Sequence, residues 1–329
     1  MSVMQRALES TRQTLGSRVE RTRLLEKSAI YIVLGLVFLI AAIVSPVFLM
    51  ERNLSNVIRQ AAILGVVATG QTFVILAGGI DLSVASVIAF MSILSANLMA
   101  GKNEMVLPIA ALCLGISLLI GLMNGLLVTR LNIPPFIATL GMGLVVQGAR
   151  FIYCNGVPKG SIPNDLRFFG RSLVLGVPVP VILCIGGAII AWVLLRRTTF
   201  GRGVYATGGN ARTAFLSGVP VKAVRTATYV LSSLWAGIAG LILTGYIGFA
   251  DNWLGRGYDL NSIAAVVIGG TALSGGKGGI WGTLAGALMI WIMFNVVLLL
   301  GLDIDAQRIV KGVVIILAVS LYARLNRRD

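Results

Sequence analysis

A chain of 329 residues with 57% hydrophobic and 12% charged residues, at a mean hydropathy of +0.92, does not have the composition of a water-soluble globular domain. Its net charge of +15 comes from 27 Lys and Arg against 12 Asp and Glu. Those basic residues sit at the ends of apolar runs and not on one solvated face, so membrane topology accounts for them and nucleic acid is excluded as a partner.

Crossing a hydrocarbon core of about 30 Å takes about 20 apolar residues in a helix. Such runs fall at 28–50, 57–77, 84–100, 105–129, 135–153, 178–195, 223–247, 259–274, 280–300 and 307–323. They predict an all-α, polytopic integral membrane protein of about ten transmembrane helices. The runs 84–100 and 259–274 are short, which suits broken or re-entrant helices. Ahead of the first run stand Arg6, Arg12, Arg18, Arg21, Arg23 and Lys27, and the run lacks a small-residue cleavage site, so it is expected to stay as the first helix.

An even number of crossings puts both termini on one side. On that side fall the basic N-terminal tail, Arg130, the Arg and Lys residues of 196–225, Lys277, and Arg324, Arg327 and Arg328. This larger share of the positive charge makes both termini cytoplasmic. The expected organisation is a cytoplasmic tail at 1–27, a transmembrane domain at 28–323 and a second tail at 324–329.

Two connections are long. Residues 154–177, on the outer side, mix Gly, Pro and aromatics as a surface for an external partner would. Residues 196–222, on the inner side, carry good helix formers from Ala211 to Leu216, after Gly208-Gly209-Asn210 and before Ser217-Gly218-Val219-Pro220. One short helix with a Gly-Pro stop is expected there.

Small-residue pairs at Gly121/Gly125, Gly278/Gly282 and Gly282/Gly286 predict close helix packing. GGIDLS at 78–83 recurs as GGTALS at 269–274, an internal echo or a coincidence of a glycine-rich chain. The segment 268–279 is not a phosphate-binding loop, because Thr271 stands where the first Gly belongs and Gly278 follows Lys277. Any ATPase must therefore be another chain. The chain has no His, and Cys113, Cys154 and Cys184 lack metal or redox spacing and read as apolar filler.

Intramembrane ionisable groups are expensive and usually functional, and only Asp81 approaches that description. It reads first as a cap for the helix that follows, a role Ser83 can share, and second as a participant in solute passage. Gln71, Asn124, Gln147 and Asn295, with the rings of Trp235, Trp281 and Trp291, are candidates for a polar pathway lining; each has interhelical bonding or packing as its alternative. Enzymatic acid–base chemistry is disfavoured, since neither His nor paired carboxylates are present.

From about residue 30 to 323 the chain resembles the ribose-type permease subunits of bacterial ABC importers. The likeness lies in GQTFVILAGGIDLSVASV (70–87), IPPFIATLGM (133–142), RTTFGRGVYATGGNARTAFLSGVPV (197–221) and YDLNSIAAVVIGGTALSGGKGGIWGTLAGALM (258–289), four segments in order and at matching spacing. The resemblance implies a bacterial inner-membrane location and a second permease subunit, identical or paralogous. It also implies cytoplasmic ATPase subunits and an external binding protein that delivers a monosaccharide or similar polyol. ATP and Mg would belong to the ATPase, and no cofactor to this chain. It further implies that the cytoplasmic helix after the Gly-Gly-Asn motif docks on the ATPase, which maps to Gly208, Gly209, Asn210, Ala214, Ser217 and Gly218. Where this family often has Glu after that Asn, this chain has Ala211-Arg212-Thr213, so Arg212 is expected to pair with an acid on the ATPase. The segment 246–259 also departs from the family's small-residue pattern. The alternative reading is a stand-alone secondary transporter or channel for a small polar solute.

Overall fold

In the computed structural model the described residues are 30–303 together with Asp305, Ile309, Gly312 and Val313. The expected span 307–323 and both charged tails lie outside the described residues apart from those few positions. The fold is all-α with one minimal hairpin. Its elements are α1 (Ile30–Val44), α2 (Glu51–Leu76), α3 (Val84–Met99), α4 (Val106–Thr129), α5 (Pro135–Cys154), α6 (Asn164–Arg171), β1 (Leu173–Val174), β2 (Val177–Pro178), α7 (Val179–Arg197), α8 (Thr199–Gly209), α9 (Ala211–Leu216), α10 (Val221–Ile247), α11 (Tyr258–Ile268) and α12 (Ile280–Leu299).

Six of these, α2, α4 (extended from Asn103), α5, α7, α10 and α12, are long and apolar enough to cross a membrane, and α1, α3 and α11 are shorter apolar helices. At 16 and 11 residues, α3 and α11 rise only about 24 and 16 Å at about 1.5 Å per residue, short of a bilayer core. The expected run 28–50 divides at Ser45, where Pro46 opens a short 3-10 turn. Helix α2 begins at Glu51, six residues before the expected start, because its first turns are polar and carry no apolar run to read.

At the centre stand α2 and α10. From Ala61 to Leu76 every residue of α2 is buried, as expected of a helix that is apolar all round and wrapped by others. The two helices touch at Gly70, where an added Cβ would lie 2.8 Å from Trp235 Cβ and 3.0 Å from the Ser232 backbone. The α4–α10 contact uses the expected pair: a Cβ at Gly121 would meet the Tyr229 carbonyl at 2.6 Å, and one at Gly125 the Thr226 Cα at 2.8 Å. Gly282 and Gly286 do the same for α12, pressing on the Gly269 and Ala265 carbonyls of α11. Gly278 departs from the expectation: it lies in the loop before α12, with φ +136°, against Thr271.

The echo of GGIDLS in GGTALS has a geometric cause. Gly78 N–H donates to Ile75 O at 2.9 Å and Gly79 N–H to Val74 O at 2.9 Å; Gly270 N–H donates to Val267 O at 2.9 Å and Thr271 N–H to Val266 O at 3.1 Å. Both are Schellman endings with a left-handed glycine, which pairs Gly78 with Gly270, one residue off the sequence match. Helices also end this way at Asn155, Gly218 and Gly301, so the echo reports a shared way of stopping a helix.

The long connection 154–177 contains α6 and the β1–β2 hairpin. Gly170 and Gly245 bring α6 backbone to backbone with α10. Arg171 then donates to Tyr246 O (2.7 Å) and Ile247 O (2.6 Å), and Arg59 Nη2 donates to Arg171 O at 3.1 Å. Charge-assisted bonds to carbonyls thus pin this surface to the ends of α2 and α10. The three cysteines are buried and free.

Candidate functional site

The segment 196–222 is more ordered than a loop with one helix, since α8 precedes the expected α9. Thr198 starts α8 by accepting from Gly201 N–H at 3.2 Å. Asn210 ends α8 and starts α9: its backbone is extended, and its Oδ1 accepts from Thr213 N–H at 2.9 Å. Ser217 Oγ donates to Thr213 O at 3.0 Å, and Gly218 turns left-handed at φ +82° so that Val219 N–H reaches Ala214 O at 3.0 Å. Pro220 follows, and α10 begins. Ala214 is the one buried residue of α9, while Arg212, Phe215 and Leu216 are exposed, the last two at 69% and 77%. A six-residue helix that shows two large apolar side chains and a cation suits docking on another protein.

Gly208, in the last turn of α8, has no room for a side chain, because a Cβ would run into the Leu76 carbonyl at the end of α2 and lie 2.6 Å from Gly276 N. That Leu76 carbonyl accepts from Gly276 N–H at 3.0 Å. Gly275 packs equally close, its would-be Cβ 2.9 Å from Gly208 O and 3.0 Å from Gly78 N. A second tie lies one turn earlier, where Tyr205 Oη donates to Gly278 O at 3.0 Å under the Arg196 guanidinium. Burial raises the Tyr205 phenol above its ordinary range, only partly offset by Arg196, so the hydroxyl keeps its proton and donates. The 196–222 segment therefore abuts both glycine-rich breaks, after α2 and after α11.

Beyond the first break the chain folds back along α2. Asp81, fully buried, is gripped on its backbone by Gln71: with the amide oriented to satisfy both groups, Nε2 donates to Asp81 O and Oε1 accepts from Asp81 N–H, each at 3.2 Å. Asp81 Oδ1 accepts from Ser83 N–H (2.9 Å) and Ser83 Oγ (2.6 Å), and Asn124 Nδ2 donates to Ser83 Oγ at 2.8 Å. From α5, Thr139 Oγ1 accepts from Leu82 N–H at 3.1 Å. Gln71, Asp81 and Asn124 are thus one buried network that fixes the turn before α3. The expected helix cap is absent, since no side chain accepts from the first N–H groups of α3; the carboxylate instead closes an Asx turn onto Ser83, the residue before α3.

The other candidates lie apart. Asn295 forms a reciprocal amide pair with Asn53, at 2.9 and 2.8 Å, joining α12 to α2. Gln147 is half-buried on α5, whose Gly141, Leu144, Val145 and Gly148 are exposed. Trp235 fills the space between Gly70 and Gly187, while Trp281 is 40% exposed at the start of α12 and Trp291 packs edge-on against Phe294. Sequence reasoning missed Asn53, Thr139, Tyr205 and Gly276. Only spatial proximity marks them. Among the described residues no group of His, Cys, Asp and Glu could hold a metal ion.

The family described as branched-chain amino acid transport system / permease component matches residues 53–319. The chain is 42% identical to the ribose import permease protein of Bacillus subtilis, over 94% of this chain and 96% of that one. It is 40% identical to the ribose import permease protein of Escherichia coli K12, over 94% and 98%. It is 34% identical to the D-allose transport system permease protein of the same strain, over 90% and 91%. No solved structure matches the chain. The membrane-spanning helices agree with these relatives, and the chain belongs to the family of membrane permease components of ABC importers, of which the ribose import permeases are members.

Proposed function

We propose that this permease passes a monosaccharide across the bacterial inner membrane as one of two permease subunits, in about ten crossings with both termini cytoplasmic. An external binding protein delivers the sugar to the 154–177 and 248–258 segments. ATP and Mg are bound and turned over by a partner ATPase, which docks on α9 through Arg212, Phe215 and Leu216. Although the family description names branched-chain amino acids, relatives at 34–42% identity carry ribose and allose in their names, which favours the sugar.

The observation that carries this reading is the junction of Gly208 with Leu76 O and Gly276 N. A movement of α9 reaches α8 through the shared cap Asn210, and at Gly208 it meets two helix breaks at once. One break leads through Gly79 and Ile80 to the Asp81–Gln71–Asn124 network, and the other leads into α12. Backbone packed on backbone has no side chain to absorb a displacement, so the push is transmitted. Selectivity rests largely with the binding protein, because a pathway that held sugar tightly would slow its release.

The test is uptake of radiolabelled ribose by proteoliposomes. The reading expects accumulation only when permease, ATPase, binding protein and ATP are all present. Uptake by vesicles holding this chain alone would establish a channel or secondary transporter instead.

A further inference from the structure

A groove of about 1270 Å³ opens where α4, α7 and α10 end on the membrane face that carries the 196–222 segment. Its apolar lining includes Leu126, Leu194, Val230 and Leu231, with Phe215 of α9. Arg130 and Lys222, both exposed, also line it. From Val106 to Pro134 and from Val177 to Ala250 the sequence contains no Asp or Glu, so the walls of the groove and the helices behind them offer these two cations no local acid.

The groove also continues into the bilayer. On α4, Leu119, Leu122 and Leu126 form an exposed stripe one and two turns apart, and on α7 Ile189 and Val193 form another. The first stripe runs into the groove at Leu126, and the second ends beside Leu194, which lines it. An occupant must therefore be anionic at one end and apolar over a length that runs along membrane-spanning helices. A soluble anion lacks the second property, and a neutral lipid lacks the first. The N-terminal tail, with six Lys and Arg against three Glu, is net positive and lacks the anionic head this occupant needs.

We infer that this groove binds an anionic phospholipid, its phosphate held by Arg130 and Lys222 and its acyl chains lying along α4 and α7. The site is independent of the substrate reading and takes from it only that the chain lies in a membrane. Because Ala211 and Phe215 line the same groove, the lipid lies alongside α9.

The test is native mass spectrometry of the full-length protein in neutral detergent, titrated with phosphatidylglycerol or with phosphatidylcholine of the same chains. Wild type should retain phosphatidylglycerol roughly tenfold better, the scale expected for two basic residues at a lipid headgroup. Arg130→Gln with Lys222→Gln should erase that preference while the melting temperature in lipid-free detergent stays unchanged, both side chains being exposed. Ala227→Trp, at a half-buried lining position, adds bulk to the groove and should reduce retention of both lipids. Equal retention of the two lipids by wild type would leave the groove to a partner protein and overturn the site. A phosphatidylglycerol preference that survives the double substitution would place the lipid elsewhere and overturn it too. If the tryptophan variant fails to fold, the charge pair alone decides.

Discussion

The amide of Gly276 donates to the carbonyl of Leu76 at 3.0 Å, closing α2 onto the loop that follows α11, and Gly208 lies against that same carbonyl with no space for a Cβ. Two neighbouring glycines of α8 therefore face different demands. Gly208→Ala forces backbone apart at the junction and is expected to destabilise the protein by about 1–3 kcal/mol. Gly209→Ala meets nothing within 4 Å and should be neutral or slightly stabilising. Thermal unfolding of the two variants in detergent checks the contrast; equal shifts would contradict it.

Asp81 is a test of turn-holding against passage. Asp81→Ala leaves Ser83 N–H and Ser83 Oγ without their acceptor and should destabilise by about 1–3 kcal/mol, whereas Asp81→Asn keeps an oxygen at the Oδ1 position and should lose at most about 1 kcal/mol. A stable Asp81→Asn protein that transports normally in the reconstituted complex supports the turn-holding role. One that is stable yet inactive assigns the carboxylate a part in passage.

Asn295 was a pathway candidate by residue type, but both of its amide atoms are engaged by Asn53. Replacing either by Ala should be about equally harmful, with a double-mutant coupling of about 0.6–1.7 kcal/mol, the range found for hydrogen bonds between membrane helices. Additive effects in the cycle would show that the pair is not a brace.

Arg212 is exposed on α9, so Arg212→Glu should leave the stability of the isolated permease within about 0.5 kcal/mol. In the assembled complex the same change should abolish ATP-driven uptake by placing like charges together at the ATPase surface. Coupling that is untouched by Arg212→Glu would refute the pairing.

What could be read in advance follows from how each feature is encoded. Helices α4, α5, α7, α10 and α12 are long uninterrupted apolar runs, and their observed ends fall within a few residues of expectation. Helix α9 was legible because Asn210, Gly218 and Pro220 are local stop and start signals that need no partner. Helix α8 was not, since four glycines at 201, 203, 208 and 209 argue against a helix. Two of them are required by close approach: Gly201 packs on the Leu194 and Leu195 carbonyls and Gly208 on Leu76, so tertiary packing overrides propensity. Likewise α6 is eight residues between Pro163 and a tight hairpin, too short for periodicity to reveal. Gln71, Asp81 and Asn124 each stood out by type, but nothing local brings α2, the 77–83 turn and α4 together. Asn53 escaped notice because it lies in the polar first turn of α2.

In the proposed mechanism, force passes from α9 through Gly208 into the two helix breaks. The most direct measurement is sugar taken up per ATP hydrolysed by reconstituted complexes carrying Gly208→Ala, with Gly209→Ala alongside, after gel filtration has confirmed that each is folded and assembled. Hydrolysis that continues with the uptake ratio reduced roughly tenfold or more in Gly208→Ala, but near wild type in Gly209→Ala, is the predicted result. An unchanged ratio in Gly208→Ala would contradict it.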